Sequence, residues 1–291
     1  MRDQEPGVST PIFEGRGLVK HYGSIHAVDG IDIAVGHGEI VAIVGDNGAG
    51  KSTLIKMLSG AIQPDRGEIR VEGVVHKLKG PNDARSMGIE ALYQDLALLP
   101  NLDVTTNLFL GREEVCGGVL RPFGFMARRR MRHDAVERLD ALQIRIPRLW
   151  GTPVSSLSGG QRQSVAIARA LVWASKVVIL DEPTAALGVA QARAVLELSQ
   201  RIRDTGTSVV IISHILPHVL ELADRVVVVR HGRKAADLAA HEVTQDRLIA
   251  LIVGSEEGDG YAAAPALGEQ GEDEVPGVAF GRAAAADLGE G

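Results

Sequence analysis

The sequence predicts an α/β fold built on a mostly parallel sheet, and three observations lead there. Four short apolar runs, Ile40–Val44, Val177–Leu180, Ser208–Ile212 and Arg225–Val229, are continuous rather than alternating, the pattern of strands buried on both faces. Helical stretches at Val189–Thr205 and Ile215–Ala223 separate the later runs, which is the strand–helix alternation of a parallel sheet. The first run passes straight into a glycine-rich turn, Gly45-Asp46-Asn47-Gly48-Ala49-Gly50-Lys51-Ser52-Thr53, and then into Leu54–Leu58, which has helical character.

Taken in order, residues 1–10 have no apolar pattern and are expected to form a flexible leader. Ile12–Val19 and Ile31–Val35 are expected as strands on either side of Lys20-His21-Tyr22-Gly23, and Gly67–Gly73 as another short strand between turns. Arg85–Gly88 leads into Ile89–Gln94, a strand ending in an amide. From Leu102 to about Pro153 strand-like runs stop, and Met131, Ala135, Leu139 and Leu142 recur at helical spacing. A helical insert is therefore expected at about residues 95–165. Inside it, Arg128-Arg129-Arg130-Met131-Arg132 is a basic run, expected as a solvated helix face, with contact to acidic lipid or a partner helix as the alternative. One domain is expected at residues 11–254. Residues 255–291 turn to Ala, Gly and Glu without periodicity and are expected to be a disordered tail.

The spacing of the glycine-rich turn is G-x-x-x-x-G-K-S, the phosphate-binding loop of nucleoside triphosphatases. Its backbone N–H groups and the helix start behind it supply partial positive charge. Lys51 is expected to reach the β- and γ-phosphates and the Ser52 hydroxyl to sit on Mg²⁺. A second helix, Arg162–Ser175, opens at Leu157-Ser158-Gly159-Gly160-Gln161, where Ser158 is a good N-cap and the glycines expose N–H groups to an anion. The run Val177–Leu180 then ends in Asp181-Glu182-Pro183. Asp181 suits Mg²⁺, usually through water, and Glu182 suits polarising an attacking water. Ser213-His214 ends another strand in the same way, and in this order His214 is expected to contact the γ-phosphate.

Here the residues carry a family resemblance. GDNGAGKST, Tyr93-Gln94, LSGGQ, VVILDEP and Ile212-Ser213-His214 stand in the order found in ATP-binding cassette ATPases, and the chain resembles that family over about Ile12–Gly254. The resemblance implies a P-loop NTPase fold: a RecA-like core, a small antiparallel β subdomain and a helical insert. It implies that Gly45, Asp46, Asn47, Gly48, Ala49, Gly50, Lys51, Ser52 and Thr53 bind ATP and that Tyr22 stacks on adenine. It implies that Ser52, Gln94 and Asp181 hold Mg²⁺, and that Glu182 is the general base acting with Lys51, Gln94 and His214. Ser158, Gly159, Gly160 and Gln161 would act on the ATP of a second cassette in a head-to-tail dimer. Gly188 departs from the pattern, because most cassettes carry Asp there.

Thr184–Val189 and Tyr93–Glu113 look like the ATPase subunits of fructose/ribose/xylose-type sugar importers, in their single-cassette form. That likeness implies a peripheral motor on the cytoplasmic face of the cell membrane. It would bind a transmembrane permease near Gln94–Leu110, in a system fed by an extracytoplasmic solute-binding protein. The alternatives are a cassette for another solute, or a soluble cassette acting on ribosomes or DNA.

Composition bounds these readings. The net charge of −6 is uneven: residues 255–291 carry nine acidic groups and one arginine, so the tail holds −8 and the remaining chain +2. A nearly neutral domain with 3% aromatic residues gives no basis for nucleic-acid binding. The single cysteine, Cys116, excludes an internal disulfide and is expected as a buried, inert thiol. No apolar h-region follows Met1, and no apolar run approaches the roughly 20 residues that span a bilayer.

Overall fold

The computed structural model describes residues 10–93, 97–117, 124–141, 146, 149–185 and 187–255, without the side chain of Ala190. Gln94, the leader before Thr10 and the tail after Ser255 therefore lie outside the described residues.

The central sheet is built from β3 (Ile40–Val44), β6 (Ile89–Leu92), β7 (Val177–Asp181), β8 (Ser208–Ile212), β9 (Arg225–Arg230) and β10 (Arg233–Ala239), in the order β10-β9-β3-β8-β7-β6. All neighbours are parallel except β9 and β10. Every residue of β3, β7 and β8 is buried, which is why these strands are continuous apolar runs. The two faces are still distinct. Ile40, Ala42 and Val44 pack with Val178, Leu180, Val209 and Ile211 on one side, while Val41 and Ile43 pack with Val177, Ile179, Val210 and Ile212 on the other.

The second face is closed by α1 (Lys51–Leu58) and by an antiparallel sheet ordered β2-β1-β4-β5, made of β1 (Phe13–Tyr22), β2 (Ile25–Val35), β4 (Arg66–Val71) and β5 (Val74–His76). β1 continues through Lys20–Tyr22, and β2 begins at Ile25, well before the run at Ile31. The first face is covered by α5 (Gly159–Trp173), α6 (Val189–Asp204), α7 (Leu216–Leu222) and α8 (Gln245–Val253). The short α2 (Pro81–Ser86) precedes β6.

Four elements lie outside the sequence reading: β5, α2, β10 and α8. β10 is an edge strand, mostly half-buried, and lacks a clean apolar pattern. It is set by a two-residue hairpin, His231-Gly232, with φ of 49° and 76°, the paired left-handed conformation of a type I′ turn. A histidine–glycine pair one residue after Val226–Val229 was the available signal.

The helical insert has its own core. α3 (Val104–Leu108) and α4 (Arg128–Ala141) pack Val104, Leu108, Met131, Ala135 and Leu139 against Val165, Ala168 and Val172 of α5. The opposite face of α5 carries Ala166, Ile167, Ala170 and Leu171 into the sheet core. One helix thus belongs to both bodies, so the start of α5 is fixed relative to the sheet. The basic run lies within α4, whose first turn is Arg128, Arg129 and Arg130. Leu142 lies outside the described residues. Cys116 is half-buried rather than buried.

Candidate active site

Parallel pairing brings the carboxyl ends of three strands level: Ile43 of β3 and Asp181 of β7 both stand opposite Ile212 of β8. Ligand sites of open parallel sheets form at such ends. A cleft of about 850 Å³ opens there, lined by Gly45–Thr53, by Glu182 and His214, and by Ile25, His26, Ala27 and His231.

The loop is built so that backbone meets backbone. Gly50 caps α1 with φ of 105°, and a Cβ there would collide with the Ala27 carbonyl oxygen of β2. The Lys51 ammonium folds back into the loop and donates to the carbonyl oxygens of Gly45 and Asp46, both at 2.8 Å. Burial holds this ammonium below the ordinary lysine range, while the charges of Glu182, Asp46 and Asp181 work the other way. A ligand bearing negative charge meets a cation that is already placed and partly desolvated.

Asp181 ends β7 and is only 7% exposed. Burial, reinforced by the neighbouring Glu182 charge, pushes its carboxyl above the ordinary aspartate range; Lys51 and Lys56 pull it back. Glu182 leaves the strand in the left-handed region, with φ of 49°, while its N–H still donates to the Ile212 carbonyl at 3.0 Å. A non-glycine residue there costs on the order of 1–3 kcal/mol. The bend carries the Glu182 carboxylate into the cleft, where Oε1 stands 3.4 Å from His214 Nδ1. Gln163 of α5 donates from Nε2 to the Pro183 carbonyl at 2.9 Å, tying the helical element to the turn that follows the two carboxylates.

The remaining sequence-predicted residues are not gathered in this cleft. Ser158, Gly159, Gly160 and Gln161 sit at the start of α5 as a capping box: the Gln161 N–H donates to Ser158 Oγ at 3.3 Å, and the Ser158 N–H to Gln161 Oε1 at 2.9 Å. Neither these residues nor Tyr22 line the cleft. Tyr22 is 48% exposed, with Lys20 Nζ 5.9 Å from its ring centre. Asp181 stays buried behind the lining, and Gln94 lies outside the described residues.

Sequence reasoning missed His26 and His231. His26 stands on β2, and His231 is the hairpin turn before β10. The Gly232 N–H donates to the Ala49 carbonyl at 2.9 Å, and its own carbonyl accepts from Asp29 at 2.7 Å. Only this tertiary pinning brings His231 to the phosphate loop.

The residues therefore present a phosphate-sized cradle, a placed cation and a paired carboxylate–imidazole. The signature of ABC transporters matches residues 28–185. The fructose import ATP-binding protein FrcA of Rhizobium meliloti is 46% identical over 248 residues, 85% of this chain and 95% of that protein. This chain belongs to the ABC transporter family.

The xylose/arabinose import ATP-binding protein XylG of Sulfolobus acidocaldarius is similar over 239 residues at 44% identity, 80% of this ABC chain and 92% of that one. Among solved structures, a nucleotide-free ATP-binding cassette from an ABC transporter superposes with a TM-score of 0.71 at 27% identity, covering 84% of this chain and 95% of that one. cbiO1 from Clostridium perfringens, part of the ABC transporter complex cbiONQ, does so at 0.68 and 28% identity, with the same coverage. The P-loop core, the antiparallel β sheet and the helical insert are thus the ABC ATPase fold.

Proposed function

We propose that this ABC protein hydrolyses ATP to drive monosaccharide import through a separate membrane permease. The observation that carries the reading is the meeting of Lys51, Ser52, Glu182 and His214 at one cleft, in a chain this similar to sugar import proteins.

The loop N–H groups and Lys51 hold the β- and γ-phosphates of ATP, so Lys51 exchanges the Gly45 and Asp46 carbonyls for phosphate oxygens. Glu182 orients the attacking water and accepts its proton as the water oxygen bonds to the γ-phosphorus and the bond to ADP breaks. His214 contacts the γ-phosphate in the bound state and stands beside Glu182 without it, a switch supported by the 3.4 Å between their side chains. Oxygen donors of the kind Mg²⁺ takes are present: the exposed Ser52 hydroxyl and the Asp181 carboxylate, whose repulsion with Glu182 a cation would relieve. When bound, Mg²⁺ supplies charge neutralisation between the β- and γ-phosphates.

The capping box at Ser158 is exposed and unused by this chain's own cleft, which supports its action on the ATP of a second cassette, head to tail. ATP would then hold the dimer together and hydrolysis would release it, a two-state element able to drive a transport cycle. Among the described residues no helix is long and apolar enough to cross a membrane, so the path for the sugar is assigned to a partner. The surface for that partner would lie within residues 94–110, and the exposure of Leu99 supports this. Asn107, fully buried, fixes that turn. Its Oδ1 accepts from the Leu99 N–H at 2.8 Å, and its Nδ2 faces the carbonyls of Leu99, Leu102 and Asp103 at 3.0–3.2 Å. An extracytoplasmic sugar-binding protein completes the system.

Affinity purification of the tagged chain from solubilised native membranes tests this. Recovery of a multi-spanning permease and a sugar-binding protein is expected. Recovery of ribosomes or DNA-processing proteins, with nothing from the membrane, would remove the import reading and leave the ATPase standing.

A further inference from the structure

The start of α4 concentrates positive charge. The positive end of a helix dipole favours acidic side chains, yet the first turn of α4 holds Arg128, Arg129 and Arg130 and no acid, with Arg132 one residue beyond Met131. A cation placed there is unfavourable unless something negative answers it. Within the chain the answer is partial. Arg130 pairs with Glu114 at 2.8 Å, and the Arg132 guanidinium lies 5.7 Å from the Trp150 ring centre. Asp134 and Glu137 of the same helix lie instead beside His133. Asp103 answers Arg132 at longer range and lines a crevice with Arg128, while Arg128 and Arg129 are exposed and form no ion pair among the described residues.

The surrounding sequence has the same sign. Residues 118–150 contain eight arginines and three acids, a charge of +5. Residues 1–254 together carry +2, so the rest of that stretch is at −3. The charge is therefore concentrated in this stretch of sequence, and among its described residues apolar groups are exposed beside Arg128, Arg129 and Arg132: Phe125 is 57% exposed, Trp150 50% and Met126 37%. Exposed aromatic and apolar side chains interleaved with arginine are the composition of a surface that lies against a bilayer, rings at the headgroup level and cations on anionic lipid.

We infer that this face of the helical insert, centred on Arg128, Arg129, Phe125 and Trp150, docks on the anionic lipid headgroups of the membrane. Met126, Arg128 and Arg132 share a crevice with Asp103, Thr105 and Thr106, next to the turn that holds Leu99. That adjacency bears on the inference only if Leu99 faces the permease, whereas the charge and the exposed rings stand without it. The contact orients the ATPase on the leaflet around the permease and adds a second, salt-sensitive hold.

Flotation of the full chain with vesicles tests this. Phosphatidylcholine vesicles containing a third phosphatidylglycerol should carry the protein at low salt, and pure phosphatidylcholine vesicles should not. At about 1 kcal/mol per arginine near the surface, each arginine lost should weaken partitioning roughly 5-fold. The triple variant R128Q/R129Q/R130Q should therefore lose on the order of 100-fold, and the lysine triple should retain most of the binding. Trp150→Ala should weaken binding without changing its salt dependence. Nucleotide affinity should be unchanged in all three, which separates this result from any failure of the ATPase reading. Equal binding to neutral and anionic vesicles, or a glutamine triple that binds like the parent, would overturn the inference. So would absence of vesicle binding combined with charge-dependent recovery of a protein on this face.

Discussion

Arg112 extends its guanidinium from the segment after α3 to the carboxylate of Glu90, a residue of β6 that is only 5% exposed. The same guanidinium stands 4.8 Å from the ring centre of Trp173, the last residue of α5, whose indole N–H donates to the Leu108 carbonyl at 2.8 Å. One side chain thus links the central sheet, the insert and the helix shared by both. Burial pushes the Glu90 carboxyl above the ordinary glutamate range, and the Arg112 and Arg85 charges oppose it.

Removing Arg112 leaves a buried carboxylate with Arg85 3.7 Å away and the more distant charge of Arg169. Arg112→Met should cost about 3 kcal/mol, mostly the penalty of the unpaired charge. Glu90→Leu in the same chain should recover most of that loss. Urea unfolding of the four members of the cycle measures the coupling. Additive losses would mean that the pair is not a unit.

Asp181 should be a residue at which function opposes stability. Its folded pKa lies above the ordinary value of 3.8, so its contribution is present in acid and is lost as pH rises through the folded value. Asp181→Asn should therefore be more stable than the parent at pH 7, by roughly 2–4 °C in thermal midpoint for each 1 kcal/mol. The gain should shrink as pH falls toward 3.8. Calorimetry across that range decides it; a variant less stable than the parent at neutral pH would reverse the assigned sign.

Leu99 should separate transport from hydrolysis. Leu99→Glu places a charge on an exposed turn held by Asn107, so the fold and basal ATP turnover should be preserved while uptake by the assembled transporter falls. Unchanged uptake would move the coupling surface elsewhere.

Most of the sheet was legible because strands buried on both faces must be apolar throughout, as Val177–Leu180 and Ser208–Ile212 are. The phosphate loop was legible because its glycines and lysine are constrained by local geometry alone. Legibility failed at edges and at tertiary meetings. β10 carries no apolar alternation, and α2 is only six residues long. His26 and His231 reach the cleft only because two hairpins are pinned against Ala49 and Gly50. The capping box at Ser158 was readable as a helix start, but one cassette cannot hold the partner ATP that would give Gly159 and Gly160 their role.

The most direct test of the central claim is steady-state ATP hydrolysis by the Glu182→Gln variant, measured beside its nucleotide affinity. The carboxylate bent into the cleft should be the general base, so turnover should fall roughly 10²–10⁴-fold with nucleotide binding retained. Near-normal hydrolysis by that variant would remove Glu182 from the chemistry and with it the assignment of this cleft as the engine of transport.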